Sequence, residues 1–347
     1  MPLPSVALLS LEPWDDVWRR NQHLAAELVR QRLVRRIVFV EPARPGRGRR
    51  WNPRPGIEVV RPALVIPRRH GGLRVVALEL RTRILRGHDR LWVNDAPIGA
   101  LCISSRPALY DVTDDWRAAD APAPERRRLV RAEDRLTAQA TVVVCSDALQ
   151  RRWEERYGVV PPVVHNAADV AAYRTARPVT LPGRGPHVGY IGTLHRERLD
   201  LDLVAAMAHD PRVGTVHLVG PDHLPAQDRN RLSNGGIVFH GPVPAGEVPG
   251  WAVAFDVLVC PHQVTAFTRS LDAIKAYEYV AAGRPVVATP TGGFQDLADR
   301  PGVSIVGVDG FVDAVVAAAG QDPRPAGDGP SWAQRAREFA VHLGVSA

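Results

Sequence analysis

Short apolar runs alternate with amphipathic stretches along this chain, and the alternation occurs twice. Residues 6–10 form an apolar run. A loop follows, then residues 19–31 with Leu24, Leu28 and Val29 at helical spacing, then a second apolar run at 37–40. Runs of this length read as strands, and strands joined through helices pair in parallel through right-handed crossovers. Further strands are expected at 57–60, 91–93, 108–110 and 141–145, with helices at 73–85 and 125–139. Residues 44–55 read as loop because Pro45, Gly46, Gly48, Pro53 and Pro55 interrupt any regular element. From Asn166 onward the pattern restarts. Strands are expected at 187–191, 216–219, 237–240, 256–260, 286–288 and 303–306. Helices are expected near 199–208, 247–254, 271–282, 294–298 and 311–319. A Pro/Gly-rich linker at 322–330 precedes a last helix, for which Ser331 is a candidate N-cap. The expected fold class is therefore α/β, with two Rossmann-like parallel sheets, 1–165 and 166–330. Ligands of such sheets lie at the carboxyl ends of the strands.

At 347 residues the chain is long enough for two domains, and 45% apolar content is enough to give each a core. Cys102, Cys145 and Cys260 match no metal spacing and read as buried thiols of a reducing compartment. No run reaches the ~18 apolar residues of a spanning helix, and the first ten residues lack a basic leader. A cytoplasmic location is expected, with peripheral contact at the inner face of the plasma membrane. The charge is uneven: residues 1–165 hold 29 basic and 19 acidic side chains, residues 166–347 hold 15 and 18. Two modules with different partners would carry such an imbalance.

Lys275 is the only lysine in the chain. It lies in the segment 256–289, where a buried strand leads through a polar loop to a helix and then, by Gly283-Arg-Pro285, into another buried strand. Glu278 follows three residues later on the same helix face. A helix N-terminus near Ser270 would offer unpaired N–H groups to a phosphate, a lysine would add a point charge, and a carboxylate would accept two hydrogen bonds from a ribose diol. A solvated ion pair on an ordinary helix has the same spacing, and spacing alone leaves both readings open.

This stretch resembles the donor-binding motif of glycosyltransferase family 4 and of its teichuronic-acid-type polysaccharide members. The matching residues are Pro261, Lys275, Glu278, Tyr279, Ala281, Gly283, Pro285, Val286 and Val287. The resemblance implies a GT-B fold: two Rossmann-like domains facing across a cleft, with a C-terminal helix (331–347) crossing back to the first domain. It implies that Glu278 holds the donor ribose and that Lys275 lies near the diphosphate. The family often has a second glutamate eight residues before this one, contacting the donor sugar; Ser270 stands there instead. Residues 187–198, with Gly192, Thr193 and Arg198, resemble the family's diphosphate loop. Val164-His-Asn-Ala-Ala-Asp169 resembles its interdomain hinge, with Ala167 in place of the usual glycine.

The first module matches more sparsely. Tyr110-Asp-Val-Thr-Asp-Asp115 ends a strand with three carboxylates, and Asp111 and Asp114 are candidate catalytic groups; helix capping and strand-end solvation are the plainer reading. Asn94 and Asp95 end the preceding strand and resemble an acceptor-side loop. Trp14, Trp18, Arg20 and His23 resemble the start of teichuronic-acid-type transferases. They make Arg20 an acceptor-side candidate and His23 a catalytic one.

The implied function is transfer of a sugar from a nucleotide-diphosphate donor to a glycan, lipid-linked or small-molecule acceptor, with retention of configuration and without a metal. No cofactor is implied beyond the nucleotide sugar itself. Arg61, Arg68, Arg69, Arg74, Arg81, Arg83, Arg86 and Arg90, set among apolar residues, could meet an anionic bilayer or a lipid phosphate, or could be a solvated face. Nucleic acid is disfavoured because these side chains lack interleaved aromatics or a recognition motif. A nucleotide-sugar epimerase on the same plan and an inactive nucleotide-sugar-binding protein remain alternatives. A dinucleotide-dependent dehydrogenase is a poor fit, because Leu-Glu-Pro-Trp-Asp-Asp follows the first strand where a glycine-rich turn would be needed.

Overall fold

The computed structural model describes residues 2–104, 106–119, 122–233, 235–325 and 328–345. Its internal contacts divide the chain into two compact units, Met1–His165 with Trp332–Ala347, and Asn166–Ser331.

Unit 1 is built in chain order from β1 (Ser5–Leu9), α1 (Arg20–Arg30), β2 (Arg36–Val40), β3 (Arg49–Arg54), β4 (Ile57–Arg61), α2 (Gly72–Glu79), β5 (Arg90–Val93), α3 (Ala96–Cys102), β6 (Ala108–Val112), α4 (Ala123–Gln139), β7 (Thr141–Val144) and α5 (Asp147–Tyr157). The seven strands form one sheet in the order β3-β4-β2-β1-β5-β6-β7. All neighbours are parallel except β3, which runs antiparallel to β4. β1 is buried along its whole length, as expected of a central parallel strand covered on both faces.

Unit 2 contains α6 (Val170–Thr175), β8 (His187–Ile191), α7 (Leu201–His209), β9 (Thr215–Val219), α8 (Ala226–Leu232), β10 (Ile237–Gly241), α9 (Val248–Ala252), β11 (Val257–Cys260), α10 (Ile274–Ala282), β12 (Val286–Ala288), β13 (Val303–Ile305) and α11 (Phe311–Ala319). Its six strands are all parallel, in the order β10-β9-β8-β11-β12-β13. The last helix, α12 (Trp332–Leu343), belongs to unit 1. Trp332, Ala336, Phe339, Ala340 and Leu343 give it one buried stripe. The Phe339 ring lies 4.7 Å from Trp92, and the Ala333 carbonyl accepts a hydrogen bond from Gln31 at the C-terminal end of α1. Burying one such aromatic contributes about 1.5–3 kcal/mol.

Several expectations need correction. Residues 44–55 are not all loop: residues 49–54 form edge strand β3. Its register slips between Trp51 and Arg54, around Pro53. An edge strand tolerates a proline that a central strand would not. The helix expected at 73–85 is α2 followed by a wider turn at Leu80–Ile84. The helix expected from 271 starts at Ile274. Residues 294–298 contribute only a single tight turn, Gln295–Leu297. Helices α3, α5, α6 and α8 were not anticipated. α3 and α5 start at side-chain caps, Asp95 accepting from Ile98 N and Ser146 from Leu149 N. In α5 only Leu149 and Trp153 are buried, so a charged face conceals the apolar one. Among the described residues no helix is long and apolar enough to cross a membrane. Cys102, Cys145 and Cys260 are buried thiols outside any disulfide among the described residues.

Candidate functional site

In unit 2 the strand order reverses beside β8: β9 and β10 lie on one side, β11 to β13 on the other. Such a reversal leaves a crevice at the carboxyl ends of the strands. Here it is widened, because β8 and β11 pair only at Val188–Val257 and Gly189–Leu258. Beyond that the strands part, and the buried Tyr279 hydroxyl takes the Ile191 N–H at 2.9 Å.

The loop after β8 opens at Gly192, with φ +149°. A Cβ there would sit 2.5 Å from Lys275 Nζ and 3.2 Å from Tyr190 Oη. Next to it, Gly220 at the end of β9 has φ +140°, and a Cβ there would strike the Gly192 carbonyl. Both positions favour glycine for backbone, and at Gly220 the neighbouring backbone also leaves no room for a Cβ. Leu194-His-Arg-Glu-Arg198 then turns, with Arg198 N donating to the His195 carbonyl. The Arg198 guanidinium lies 5.1 Å from the centre of the Phe267 ring. Gln263, just past β11, ties the two loops together by donating its N–H to the Arg198 carbonyl at 2.7 Å.

Lys275 is the second residue of α10, whose N-cap Ala273 supplies no side-chain acceptor. A cation in the first turn opposes the helix dipole, so it is costly there unless an anion shares the site. It does not pair with Glu278 among the described ion pairs. Its ammonium donates to Tyr190 Oη at 2.7 Å and lies 4.0 Å from that ring's centre. Tyr190 Oη is in turn 3.1 Å from His262 Nε2 and 3.3 Å from the Thr193 carbonyl. His262 is buried, and burial, with Lys275 and Arg198 nearby, holds its pKa well below the usual imidazole range. Its ring is therefore neutral, and Nε2 can accept from the tyrosine. Two cations and an uncapped helix end thus converge with no carboxylate partner for either cation among the described ion pairs.

Glu278 lies one turn further along α10. Enclosure of its carboxyl raises its pKa to about 7, against opposing effects of the Tyr173 hydroxyl and of Lys275. Tyr173, on α6, is buried, and its hydroxyl faces the Glu278 carboxyl. Asn166 and Asp272 fasten the approach to α10: Asn166 donates its backbone N–H to the Asp272 side chain and its amide to the Asp272 carbonyl. Asp169 caps α6 by accepting from Ala172 N.

Gly192, Thr193, Arg198, Lys275 and Glu278 are thus gathered at the strand ends of unit 2. Ser270 is different. It closes a tight turn four residues before α10, is fully buried, and donates to the Phe267 carbonyl at 2.7 Å. It does not mark the helix N-terminus. The sequence reading passed over Tyr190, Tyr173, His262 and Thr291-Gly-Gly293. The last three residues follow β12, and glycine is required because a Cβ at Gly292 or Gly293 would strike backbone between Arg269 and Ala273. A His one residue past a strand-end proline and a Gly-Gly past a strand were the available signals.

The candidates of unit 1 need correction. Asp111 is fully buried and held by Arg20, whose Nε lies 3.1 Å and Nη2 3.1 Å from its oxygens; Trp92 Nε1 adds a bond at 3.3 Å. This is a closed internal ion pair, so neither Asp111 nor Arg20 is open to a substrate. Asn94 accepts from Asn21 Nδ2 at 2.7 Å and donates to the Asp111 carbonyl at 3.2 Å, tying strand ends together. Asp95 caps α3. The His23 ring stacks on Trp332 at 4.5 Å and meets Trp18 edge-on. Burial and the Arg54 charge lower its pKa to about 3, too low for an effective general base near neutrality. Asp114 stays half-buried on the loop after β6, beside Thr113 Oγ1 at 3.2 Å.

Residues 185–321 match the family described as Glycosyl transferases group 1. A Bacillus subtilis (strain 168) protein, TuaH, named as a teichuronic acid biosynthesis glycosyltransferase, is 26% identical over 200 residues, which are 52% of this chain and 50% of TuaH. The chain thus spans about half the length of that relative. Sucrose-phosphate synthase from Thermosynechococcus elongatus has the same fold, with TM-score 0.73 at 18% identity over 98% of this chain and 94% of that one. Anabaena Alr3699/HepE, solved in complex with UDP-glucose, aligns with TM-score 0.60 at 17% identity over 99% and 97% of the two chains. The chain therefore has the GT-B fold, and the stretch of its second unit from 185 to 321 is similar to a glycosyl transferases group 1 domain.

Proposed function

We propose that this protein is a glycosyltransferase that takes a sugar from a nucleoside-diphosphate donor bound at the strand ends of unit 2. The observation that carries the proposal is Lys275. The chain's one lysine sits in the first turn of an uncapped helix, held over a glycine by Tyr190, with Arg198 nearby. As the glycosidic bond to the diphosphate breaks, negative charge grows on the leaving phosphate. Fixed donors aimed at that charge lower the barrier, each worth about 2.7–4 kcal/mol. Lys275, Arg198 and the first N–H groups of α10 are those donors, and they do the work without a metal. Glu278, once ionised, accepts from the ribose diol.

A relative named for teichuronic acid biosynthesis supports a glycan or lipid-linked acceptor of surface-polysaccharide type. Such an acceptor would bring the protein into peripheral contact with an anionic membrane. A solved neighbour in complex with UDP-glucose makes uridine donors the first to try. The family resemblance supports retention of anomeric configuration as part of this reading.

The test is to incubate the protein with UDP-, GDP- and TDP-sugars, with and without lipid-linked and free glycan acceptors, in the presence of a chelator. We expect nucleoside diphosphate release that depends on acceptor, with the sugar appearing on the acceptor. Interconversion of the donor sugar with no transfer would instead indicate an epimerase. Donor binding with neither outcome would indicate an inactive binding protein.

A further inference from the structure

We infer that unit 1 docks on an anionic lipid surface through the segment running from Val65 through α2 into the turn after it. Large apolar side chains are exposed at Val65 (71%), Ile66 (37%), Val75 (39%) and Leu78 (63%). These four lie within fourteen residues of sequence, and the loop that carries the first two packs on the start of the helix that carries the others. The 64–67 loop lies flush on the first turn of α2: Gly72 N donates to the Pro67 carbonyl at 3.2 Å, and a Cβ on Gly72 would collide with the Ile66 carbonyl. Val75 and Leu78 are three apart on one face of α2, while Val76 and Ala77 face the core.

Cations are interleaved with these residues along the sequence. Arg68, Arg69, Arg74, Arg81, Arg83 and Arg86 are all exposed. None of them is in an ion pair among the described residues, whereas Arg19, Arg20, Arg117, Arg152 and Arg156 of the same unit each hold a carboxylate. Between residues 61 and 90 only Glu79 and Asp89 are acidic. Exposed aliphatic side chains interspersed with guanidinium groups that hold no carboxylate among the described ion pairs fit the boundary between acyl chains and anionic headgroups. The same stretch contains no Phe, Tyr or Trp, so it lacks the stacking platform that single-stranded nucleic acid needs. The inference extends the reading of a lipid-linked acceptor, but it rests on different residues from the donor site and can fail separately.

The experiment is co-sedimentation of the full chain with phosphatidylcholine vesicles, with and without phosphatidylserine, at low and high salt. A parallel melting measurement with UDP-glucose reports the donor site in the same preparations. We expect the protein to pellet with phosphatidylserine vesicles at low salt and to be released by high salt. The triple variant R69Q/R74Q/R81Q should weaken binding by roughly a hundredfold, at about fivefold per arginine. Leu78→Ser should weaken it by about tenfold. Both variants should keep the wild-type melting temperature and the wild-type response to UDP-glucose. Equal binding to neutral and anionic vesicles would overturn the proposal. So would variants that pellet as well as the wild type, or a wild type that stays in the supernatant and binds RNA instead. A wild type that pellets while no nucleotide sugar shifts its melting would sink the donor reading and leave this one standing.

Discussion

The two sheets follow one plan, and their carboxyl ends have opposite chemistry. In unit 1 the β1–β5 ladder runs to the last pair, Leu9–Val93, and both Asn94 N and Asp95 N then donate to the Leu9 carbonyl. The polar side chains there are consumed internally: Arg20 by Asp111, Asn21 by Asn94, Asn94 by the Asp111 carbonyl. In unit 2 the equivalent ladder between β8 and β11 stops at Leu258–Gly189, and a tyrosine hydroxyl fills the gap. Lys275 and Arg198 gather beside it with only neutral neighbours, Tyr190 and Phe267, described in contact with their charges. Charge that is neutralised inside the protein holds a fold together. Charge left without a counter-ion stores potential for a ligand to neutralise.

Substitution at Asp111 separates the two roles most strongly. Asp111→Ala removes the carboxylate that pairs with the buried Arg20 guanidinium, which should cost about 3–5 kcal/mol in denaturant unfolding. The protein that remains folded should bind UDP-glucose as before, since Asp111 belongs to the internal network of unit 1. Lys275→Ala should do the reverse: transfer falls by about 10²–10³, on the pattern of lost transition-state donors, with little change in melting temperature. A stable Lys275→Ala protein with full activity would remove the distinction between the two regions.

Gly192→Ala sharpens the comparison inside unit 2. The added Cβ would press on Lys275 Nζ at 2.5 Å and hold an unfavourable φ of +149°, at a cost of about 1–3 kcal/mol. The expected signature is weaker UDP-glucose binding and slower transfer, each by roughly tenfold or more. The smallest effect is on pH dependence. The Glu278 pKa rises from 4.5 to about 7 on folding. Between those values the folded protein keeps a proton that the unfolded chain has lost. This group's contribution to stability is therefore full below pH 4.5 and is lost as pH rises through 7. Under the proposed role of Glu278, binding of the donor ribose would run the other way, because it would need the carboxylate. Affinity for UDP-glucose should climb towards pH 7 and then level off, by at most about tenfold per pH unit. Glu278→Gln should flatten that profile.

Most of the fold was legible because its signal is one-dimensional. Buried parallel strands are nearly all apolar, and Val257-Leu-Val-Cys260 or Ser5-Val-Ala-Leu-Leu9 can hardly be read otherwise. Edge strand β3 was not legible, since its arginines and Pro53 follow from having only one neighbouring strand, a fact of sheet order. In the site, Lys275 and Glu278 could be found by spacing along one helix. Tyr190 and His262 could not, because their contact joins residues 72 apart in sequence across two strands. Asp111 and Asp114 looked alike as strand-end carboxylates. Only the arrival of Arg20 from a helix 91 residues earlier distinguishes them.

The central claim is that the strand ends of unit 2 neutralise a nucleoside diphosphate with protein charge. The most direct measurement is a crystal structure of the full chain with UDP bound. Phosphate oxygens are expected within hydrogen-bond distance of Lys275 Nζ and the first N–H groups of α10, and the ribose hydroxyls on Glu278. UDP bound on unit 1, or on unit 2 away from Lys275 and Glu278, would contradict it.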